Sequence, residues 1–255
     1  MGSGSGGNST LVDTGKTRLL VDAGFGMRSL RRRLRDAGLS LNRLDAVLIS
    51  HGHRDHVCAA AAISKHFNCP VFASQGTRRE AADLQSFDRV ETFEPLASFQ
   101  IGDLRCLPFP VSHDAGQPVG FRLSWEGIHG TVLTDIGELT EAAAVHLGRC
   151  DWMVVESNHD EEMVKLGPYP WHLKKRILGS SGHLSNQALA VFLSGEFDGQ
   201  ARHIFLAHLS RNNNHPELAV ESATSALSRR NGNGRPPGHV VHLTHQDKPS
   251  IVLSL

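Results

Sequence analysis

Apolar residues near the start of the chain recur at two spacings that predict different elements. At 27–37 they fall three or four positions apart among arginines, and Gly38 follows, which predicts an amphipathic helix with a basic face. Residues 44–50 form a nearly continuous apolar run, which is typical of a strand covered on both sides. Because an Ala-rich helix is predicted at 57–67, the polar segment 51–56 lies in a strand-to-helix loop.

The same mixture of short strands and helices continues along the chain. Glycines and prolines separate the apolar runs in the middle, which is typical of a strand meander. No repeat and no long linker interrupts the pattern, so we expect one α/β domain over 1–255, with sheets covered by helices. The remaining strands are predicted at 9–13, 18–22, 70–74, 90–93, 99–101, 104–111, 119–125, 128–134, 152–156 and 203–207 and near Val240 and Ile251, the remaining helices at 77–85, 139–147, 185–193 and 216–229, and a surface loop at 230–238.

Composition narrows the class of protein. The 255 residues, 40% of them hydrophobic, suffice for a sizeable core. Lysine plus arginine and aspartate plus glutamate both total 26, which excludes a protein that binds nucleic acid by net charge alone but allows a local basic groove. No apolar run reaches the roughly 20 residues of a membrane helix, and the Gly/Ser-rich start is unlike a signal peptide. We therefore expect a soluble, cytoplasmic protein without a membrane partner.

Histidine is the unusual residue of this composition. The chain has 16 histidines, and imidazole is the commonest protein ligand for borderline metals. Three of them lie with one carboxylate in the segment HGHRDH at 51–56. Side chains two apart in an extended segment project to the same side, so His51 and His53 are placed to bind one ion, and Asp55 and His56 can turn toward a second. The motif predicts a metal site.

The pattern HxHxDH, preceded by Asp22 at the end of a predicted strand, resembles the metallo-β-lactamase superfamily. Members of this superfamily add an isolated histidine, a bridging aspartate and a final histidine, each at a strand end. His113, Asp135 and His208 match these in order and setting, so the resemblance covers almost the whole chain. It implies the α/β fold of the superfamily, a four-layer αββα sandwich.

Residue by residue, the resemblance implies two divalent metal ions as cofactors. His51, His53 and His113 would bind one ion, Asp55, His56 and His208 the other, and Asp135 would bridge both. Asp22 would accept a ring N–H from a ligating histidine and fix its tautomer. Two such ions, about 3.5 to 4 Å apart, hold a shared water as hydroxide, so the implied reaction is hydrolysis. Asp55, as one of the ligands, is also assigned a catalytic role. Zinc is favoured thermodynamically, but availability decides occupancy, so zinc and manganese both stay open.

Two positions narrow the superfamily. Redox di-iron relatives are expected to carry an acid where this chain has His53, so oxygen chemistry is not expected. The bridging Asp135 departs from typical lactamases, so lactam hydrolysis is not expected either. Phosphodiesterases and thioesterases of the glyoxalase II type share the ligand set, and metal ligands alone do not separate these two. A noncatalytic module on the same scaffold is a third alternative, against which the intact ligand set argues.

Further segments resemble the YycJ/WalJ branch of the superfamily. They are GSGGNST at 4–10, SHDAGQPVG at 112–120, ESNHD at 156–160, YP leading to LKKRI at 169–177, GHLSN at 182–186 and AHLSRNN at 207–213. Members of this branch are described as exonucleases that act on duplex DNA from the 5′ end, usually with manganese. The resemblance therefore implies a phosphodiester hydrolase with nucleic acid as its substrate.

Several residues outside the ligand set have two interpretations each. His183 is a candidate proton donor or phosphate clamp, and alternatively it caps the helix predicted at 185–193. His159 contacts a phosphate or supports the ligand loops, and Asn158 beside it is assigned to substrate binding. Asn8, in the Gly/Ser-rich start, presents amides to an anion or belongs to a flexible terminus.

Basic and aromatic residues also have two interpretations each. Lys175, in the basic run 174–176, follows a phosphate backbone or is solvated on a helix face, and it is assigned to substrate binding. Trp125, Trp152 and Trp171 are candidates to stack on bases, and the two in or beside predicted strands are expected in the core.

Overall fold

The computed structural model describes residues 1–230 and 238–255. The chain divides into two compact units. The first comprises Met1–Pro110, Ala115–Gly127 and His245–Leu255, and the second comprises Val111–Asp114 and Ile128–Thr244. Among the described residues, no helix has the length and apolar character that crossing a bilayer requires. The single domain expected over 1–255 stays a prediction.

The first unit combines parallel and antiparallel strands. Its strands are β1 (Thr10–Asp13), β2 (Arg18–Val21), β3 (Ala46–Leu48), β4 (Val71–Ser74), β5 (Val90–Phe93), β6 (Phe99–Ile101), β7 (Leu104–Pro110) and β8 (Val119–Trp125), and its helices are α1 (Met27–Asp36), α2 (Arg54–Val57), α3 (Ala60–Phe67), α4 (Gln75–Glu80) and α5 (Ala82–Gln85). Strand β1 pairs antiparallel with β2, and β2, β3, β4 and β5 pair in parallel in that order. Strands β6, β7 and β8 form an antiparallel meander.

Apolar side chains from the helices and the parallel strands form the core of this unit. Helix α1 contributes Leu30 and Leu34, α3 contributes Ile63, and the sheet contributes Val47 and Val71. The spacing of three or four residues in α1 places its leucines on one face, while four of its arginines are exposed. The predicted metal ligands at 51–56 follow β3, and Asp22 follows β2.

The second unit is built on a parallel sheet. Its strands are β9 (Ile128–Leu133), β10 (Trp152–Glu156), β11 (His203–Ala207) and β12 (Val240–Leu243), and its helices are α6 (Glu141–Leu147), α7 (Glu161–Leu166), α8 (Trp171–Leu178), α9 (Asn186–Ser194) and α10 (Pro216–Arg230). Strand β10 pairs with β9 and β11, and β12 pairs with β11, all in parallel. Helices α6, α7 and α9 begin where the side chains of Thr140, Asp160 and Ser185 accept a backbone N–H.

A glycine sets the contact between two strands of this sheet. Gly130 of β9 lies opposite Trp152 of β10. A Cβ at Gly130 would lie 2.0 Å from the indole ring, so the ring lies against bare backbone. Trp152 is buried, as expected for a tryptophan in a predicted strand.

Most predicted elements are confirmed within one to three residues, and the differences have local reasons. The helix predicted at 77–85 is divided into α4 and α5, because Ala81 between them has an extended backbone with φ −81° and ψ 102°. The strand predicted near Ile251 is wrong, since the last five residues form no strand. Of the loop predicted at 230–238, residues 231–237 lie outside the described residues. Helices α2, α7 and α8 are additional to the elements that the pattern predicts, and α2 occupies the end of the loop predicted at 51–56.

Candidate metal centre

The first unit gathers four of the predicted ligands in the segment 51–56, just beyond β3. The ring centroid of His51 lies 4.6 Å from that of His53 and 4.0 Å from that of His56. Asp55 Oδ2 lies 3.7 Å from His56 Nε2. The two-residue spacing and the short helix α2, which begins at position 54, therefore bring imidazoles and a carboxylate together as the motif predicts.

Asp22 lies at the neighbouring strand end, directly after β2, and it is buried. Its Oδ2 accepts a hydrogen bond from His56 Nδ1 at 2.8 Å. The Ser50 N–H donates to Asp22 Oδ1 at 2.8 Å, and the Ser50 hydroxyl donates to Oδ2 at 3.0 Å. A hydrogen on Nδ1 leaves the lone pair of His56 on Nε2, so Asp22 selects the tautomer in which Nε2 could bind a metal ion.

Asn8 lies beside two of the predicted ligands, His56 and Asp55. Its Nδ2 is 2.8 Å from His56 Nε2 and 3.2 Å from Asp55 Oδ2. Its Oδ1 accepts hydrogen bonds from the Ser3 hydroxyl at 2.7 Å and from the Gly4 N–H at 2.8 Å. The Gly/Ser-rich start is therefore an ordered loop that holds a buried amide against the predicted metal ligands, and Asn8 does not belong to a flexible terminus.

The second unit gathers a separate cluster at the carboxyl ends of β9, β10 and β11. Asp135 follows β9, Glu156 ends β10 and His208 follows β11, while His183 precedes α9. One ligand atom from each of these four residues lies within 4.8 Å of the others. Parallel pairing explains this convergence, because it places the carboxyl ends of neighbouring strands at the same edge of the sheet.

Glu156, which the sequence reasoning missed as a functional residue, is the buried hub of this cluster. Its Oε1 accepts hydrogen bonds from His183 Nδ1 and His208 Nδ1, both at 2.8 Å. Its Oε2 accepts from the backbone N–H of Ile136 at 2.7 Å and of Leu184 at 3.2 Å. Burial by itself raises the pKa of this carboxyl, but the charge and hydrogen bond of His183 and the hydrogen bond of His208 outweigh it and bring the pKa to about 2. Its position as an acid that ends an apolar strand was the signal available in the sequence.

His113 is held by the segment that follows α8. Its Nδ1 donates to the carbonyl oxygen of Gly182 at 3.0 Å. The adjoining Asp114 N–H donates to the carbonyl of Ser181 at 3.1 Å, and the Ser112 hydroxyl donates to the carbonyl of Ser180 at 2.6 Å. As in His56, the bond at Nδ1 leaves Nε2 as the ring atom that could bind a metal ion.

Three of the predicted residues have an unusual backbone. Asp22, Asp135 and His208 have φ values of 62°, 54° and 56°, in the left-handed region that non-glycine residues rarely adopt. Each directly follows a strand or lies two residues beyond one, where the chain turns sharply. Such strain is concentrated at functional sites, where it aims a side chain at its target.

The residues of both clusters fit divalent metal ions. The Nδ1 of His56 is bonded to a carboxylate, that of His113 to a backbone carbonyl and that of His208 to a carboxylate. This arrangement fixes ring orientation and raises ligand basicity at Nε2, and it is the usual support of metal-binding histidines. Imidazole and carboxylate donors together suit zinc and related first-row metals.

The structure separates the interpretations of His183 and Asn158. Ser185 caps α9, because its hydroxyl accepts the Ala188 N–H at 3.0 Å, so the alternative in which His183 caps that helix is wrong. The His183 side chain is 26% exposed and remains accessible to a ligand. Asn158 is buried, and its Nδ2 donates to the His208 carbonyl at 2.7 Å, so it supports the turn that carries a predicted ligand.

The other two residues assigned to substrate lie in opposite environments. His159 is only 1% exposed, neither ring nitrogen has a hydrogen-bond partner among the described residues, and burial lowers its pKa to about 4. Its neighbour in the fold is Ser185, with which it forms a parallel bridge. Lys175, in contrast, is exposed on α8. Exposure therefore favours Lys175 and disfavours His159 as a direct substrate contact.

Comparison with known proteins identifies similar sequences and folds. Residues 17–208 match the family described as Beta-lactamase superfamily domain. The chain is 31% identical to Exodeoxyribonuclease YycJ of Bacillus anthracis, over 99% of this chain and 96% of that protein. It is 32% identical to Exodeoxyribonuclease WalJ of Streptococcus pneumoniae strain D39, over 90% of this chain and 87% of that protein.

A solved structure shows the same fold. The metallo-β-lactamase fold protein YhfI from Bacillus subtilis superposes with a TM-score of 0.69 at 16% sequence identity, and the match covers 96% of this chain and 94% of that one. At this identity the likeness establishes the fold alone. The predicted α/β metallo-β-lactamase sandwich is thereby confirmed.

Proposed function

Because this chain belongs to the metallo-β-lactamase superfamily, in its YycJ/WalJ branch, and is a hydrolase of that superfamily, we propose that it is a metal-dependent phosphodiesterase that degrades DNA as an exonuclease. The observation that carries the proposal is a pair of histidine-containing clusters, in one of which Asp22 holds His56 Nδ1 and in the other of which Glu156 holds His208 Nδ1. Exodeoxyribonuclease relatives of nearly the same length support DNA as the substrate. Digestion from the 5′ end of duplex DNA is part of the proposal.

The proposed cofactor is a pair of divalent ions, zinc or manganese. The proposed ligands of one ion are His51, His53 and His113, those of the other are Asp55, His56 and His208, and Asp135 is the proposed bridge. When bound, two such ions neutralise charge on a phosphodiester and make water acidic enough to attack it near neutral pH. No side chain of the protein then has to act as the nucleophile.

The protein's own residues orient the reacting groups. Asp22 and Glu156 hold ligand rings in one tautomer, which pre-organises the donors before substrate arrives. His183, held at Nδ1 by Glu156 and partly exposed, is the proposed proton donor to the leaving oxygen through its other ring nitrogen. Asn158 and His159 are proposed to support the loops that carry the ligands, and Lys175 is the proposed phosphate contact.

Digestion of end-labelled DNA tests the proposal. The protein is stripped of metal with a chelator, reloaded with Mn²⁺ or Zn²⁺, and given duplex DNA labelled at either the 5′ or the 3′ end. We expect release of the 5′ label as mononucleotides first, and a loss of at least about a hundred-fold in Asp135→Ala, because a metal ligand is removed. Equal activity of the variant, or turnover of a glutathione thioester without any DNA cleavage, would contradict the proposal.

A further inference from the structure

Helix α8 presents an exposed surface of which the proposed function uses Lys175 alone. None of the eight residues of α8 is buried. Trp171 at its start is 64% exposed, although tryptophan is on average a highly buried residue. Lys175, one turn later, places its Nζ 6.0 Å from the centre of the Trp171 ring. We name these two side chains the aromatic–basic face of α8.

Of the three basic residues at 174–176, Lys175 is the one available to bind an anion. Arg176 is paired with Asp114, with Nη2 2.9 Å from Oδ2. Lys174 Nζ donates to the backbone carbonyl of Lys165 at 2.7 Å, where α7 approaches its end. Lys175 forms no ion pair with any residue that the structure describes, and α8 contains no acidic residue. An aromatic ring beside an available cation matches a nucleotide, which offers a base and a phosphate.

The carboxyl end of α8 is fixed to a segment that carries a proposed metal ligand. Besides the Arg176 pair with Asp114, the carbonyl of Gly182 accepts the Nδ1 hydrogen of His113. A Cβ at Gly182 would lie 2.1 Å from the carbonyl oxygen of Arg176, so the chain turns back tightly against the helix end. The helix is therefore attached directly to the residues beside His113.

The amino end of α8 is also anchored. The Tyr169 hydroxyl, two residues before the helix, accepts a hydrogen bond from Asn212 Nδ2 at 2.6 Å, in the loop that follows His208. From Arg176 back to Trp171 the helix rises by about 7.5 Å. The exposed indole is thus held on a short rigid helix whose two ends contact the loops of His113 and His208.

We propose that the aromatic–basic face of α8 binds single-stranded DNA: the Trp171 ring stacks on an unpaired base and Lys175 contacts a neighbouring phosphate of the strand being digested. This rests on the proposed function, which supplies the substrate. Stacking on tryptophan does not depend on the identity of the base, so the face grips a strand without reading its sequence. An unpaired end of a duplex offers such a base, whereas stacked interior pairs do not.

Binding of oligonucleotides to the metal-loaded, full-length protein tests the proposal. The probes are a fluorescent phosphorothioate oligothymidylate, which resists hydrolysis, and an abasic strand with the same number of phosphates. We expect Trp171→Ala to weaken oligothymidylate binding roughly ten-fold and Trp171→Phe to weaken it less than three-fold, since a smaller ring still stacks. The abasic strand is expected to bind the parent protein and Trp171→Ala within about two-fold of each other.

Lys175→Ala is expected to weaken the binding of both probes. It is also expected to reduce the slope of log affinity against log salt concentration by about one, the value of one phosphate contact. Leu166→Ala is the matched control, because Leu166 on α7 is 83% exposed but has no ring; its affinity is expected to equal that of the parent. Quenching of tryptophan emission by oligothymidylate should diminish in Trp171→Phe.

Three results would overturn the inference. The first is that Trp171→Ala binds oligothymidylate within two-fold of the parent affinity, and the second is that Trp171→Ala and Leu166→Ala lose the same oligothymidylate affinity. The third is that Trp171→Ala loses as much affinity for the abasic strand as for oligothymidylate. Failure of the proposed function looks different. In that case the parent protein neither binds nor digests DNA, whereas failure of this inference leaves a parent that digests DNA and a Trp171→Ala variant that does so equally well.

Discussion

In each of the two units, a buried carboxylate accepts a hydrogen bond from at least one histidine side chain. Asp22 accepts a hydrogen bond from His56 and two from Ser50, and Glu156 accepts hydrogen bonds from His183 and His208. A neutral imidazole has one donor and one acceptor nitrogen, so each carboxylate decides which nitrogen carries the lone pair. In His56 and His208, two of the proposed ligands, this leaves the Nε2 lone pair oriented for a metal ion before any ion binds.

Asp22→Asn tests this role at a single residue. The amide keeps the size of the side chain but loses the charge, and it can present an N–H where His56 needs an acceptor. We expect metal affinity and DNA hydrolysis to fall by roughly ten- to a hundred-fold, measured by metal titration and by initial rates. Asp36→Asn, at the exposed end of α1, is the control and should retain parental values. Parental metal affinity in Asp22→Asn would refute the role.

His159 predicts a pH dependence of stability. Its pKa is lowered to about 4 by burial, from an ordinary value of 6.5, so between pH 6.5 and 4 the unfolded chain binds a proton that the folded chain excludes. The stability that neutral His159 contributes is therefore present above pH 6.5 and is lost as pH falls toward 4, by roughly 3 kcal/mol in total.

His159→Leu should remove that part of the pH dependence. The measurement is urea unfolding of the parent and the variant at pH 4.5, 5.5, 6.5 and 8, in chelator so that metal binding does not contribute. We expect the difference in free energy of unfolding to shift in favour of the variant as pH falls, while the value at pH 8 isolates any change in packing. Parallel pH profiles of the two proteins would show that His159 titrates normally.

At the scale of elements, much of the candidate site was predictable because its proposed ligands lie at or near strand ends. The segment 51–56 is contiguous, and His113, Asp135 and His208 each follow an apolar run that reads as a strand. Glu156 was missed for a physical reason. Its partners are 27 and 52 residues away: the parallel pairing of β10 and β11 brings His208 to it, and the segment between α8 and α9 brings His183.

Short helices that bury few residues were not predicted either. Helix α8 contributes no buried residue, so its sequence has no strong apolar stripe from which a helix could be predicted. The break at Ala81 is equally hidden, since alanine favours helix and only the backbone geometry separates α4 from α5. Periodicity reports burial, and elements that bury little are poorly marked by it.

Gly130→Ala tests the contact between β9 and β10. The added methyl would lie 2.0 Å from the Trp152 ring, so the ring or the strand has to move. We expect a loss of about 1 to 3 kcal/mol in the free energy of unfolding, measured by urea denaturation. Gly148→Ala is the matched control, because its Cβ would have no neighbour closer than 3.5 Å, and it should change stability by less than about 0.5 kcal/mol. Equal effects of the two substitutions would contradict the packing argument.

For the molecule as a whole, the balance of 26 basic and 26 acidic residues means that no general positive field attracts DNA. Affinity for the proposed substrate has to come from metal and from a few local groups such as Lys175. The proposed ligands are spread from position 51 to position 208, so a bound ion would also constrain most of the chain. Metal should therefore stabilise the protein as well as activate it.

Thermal unfolding with and without metal measures that constraint. An ion that binds the folded state alone adds about 2.7 kcal/mol at a free concentration of a hundred times its Kd, which for a chain of this size raises Tm by roughly 5 to 10 °C. We expect this rise when Mn²⁺ or Zn²⁺ is added to the chelated parent, and we expect His51→Ala and His208→Ala each to lose most of it. His66→Ala, an α3 histidine outside the ligand set, should keep the full rise. If both ligand variants gained as much Tm as the parent, the proposed ligand set would be wrong, because an ion that stabilises the fold must be held by the residues assigned to it.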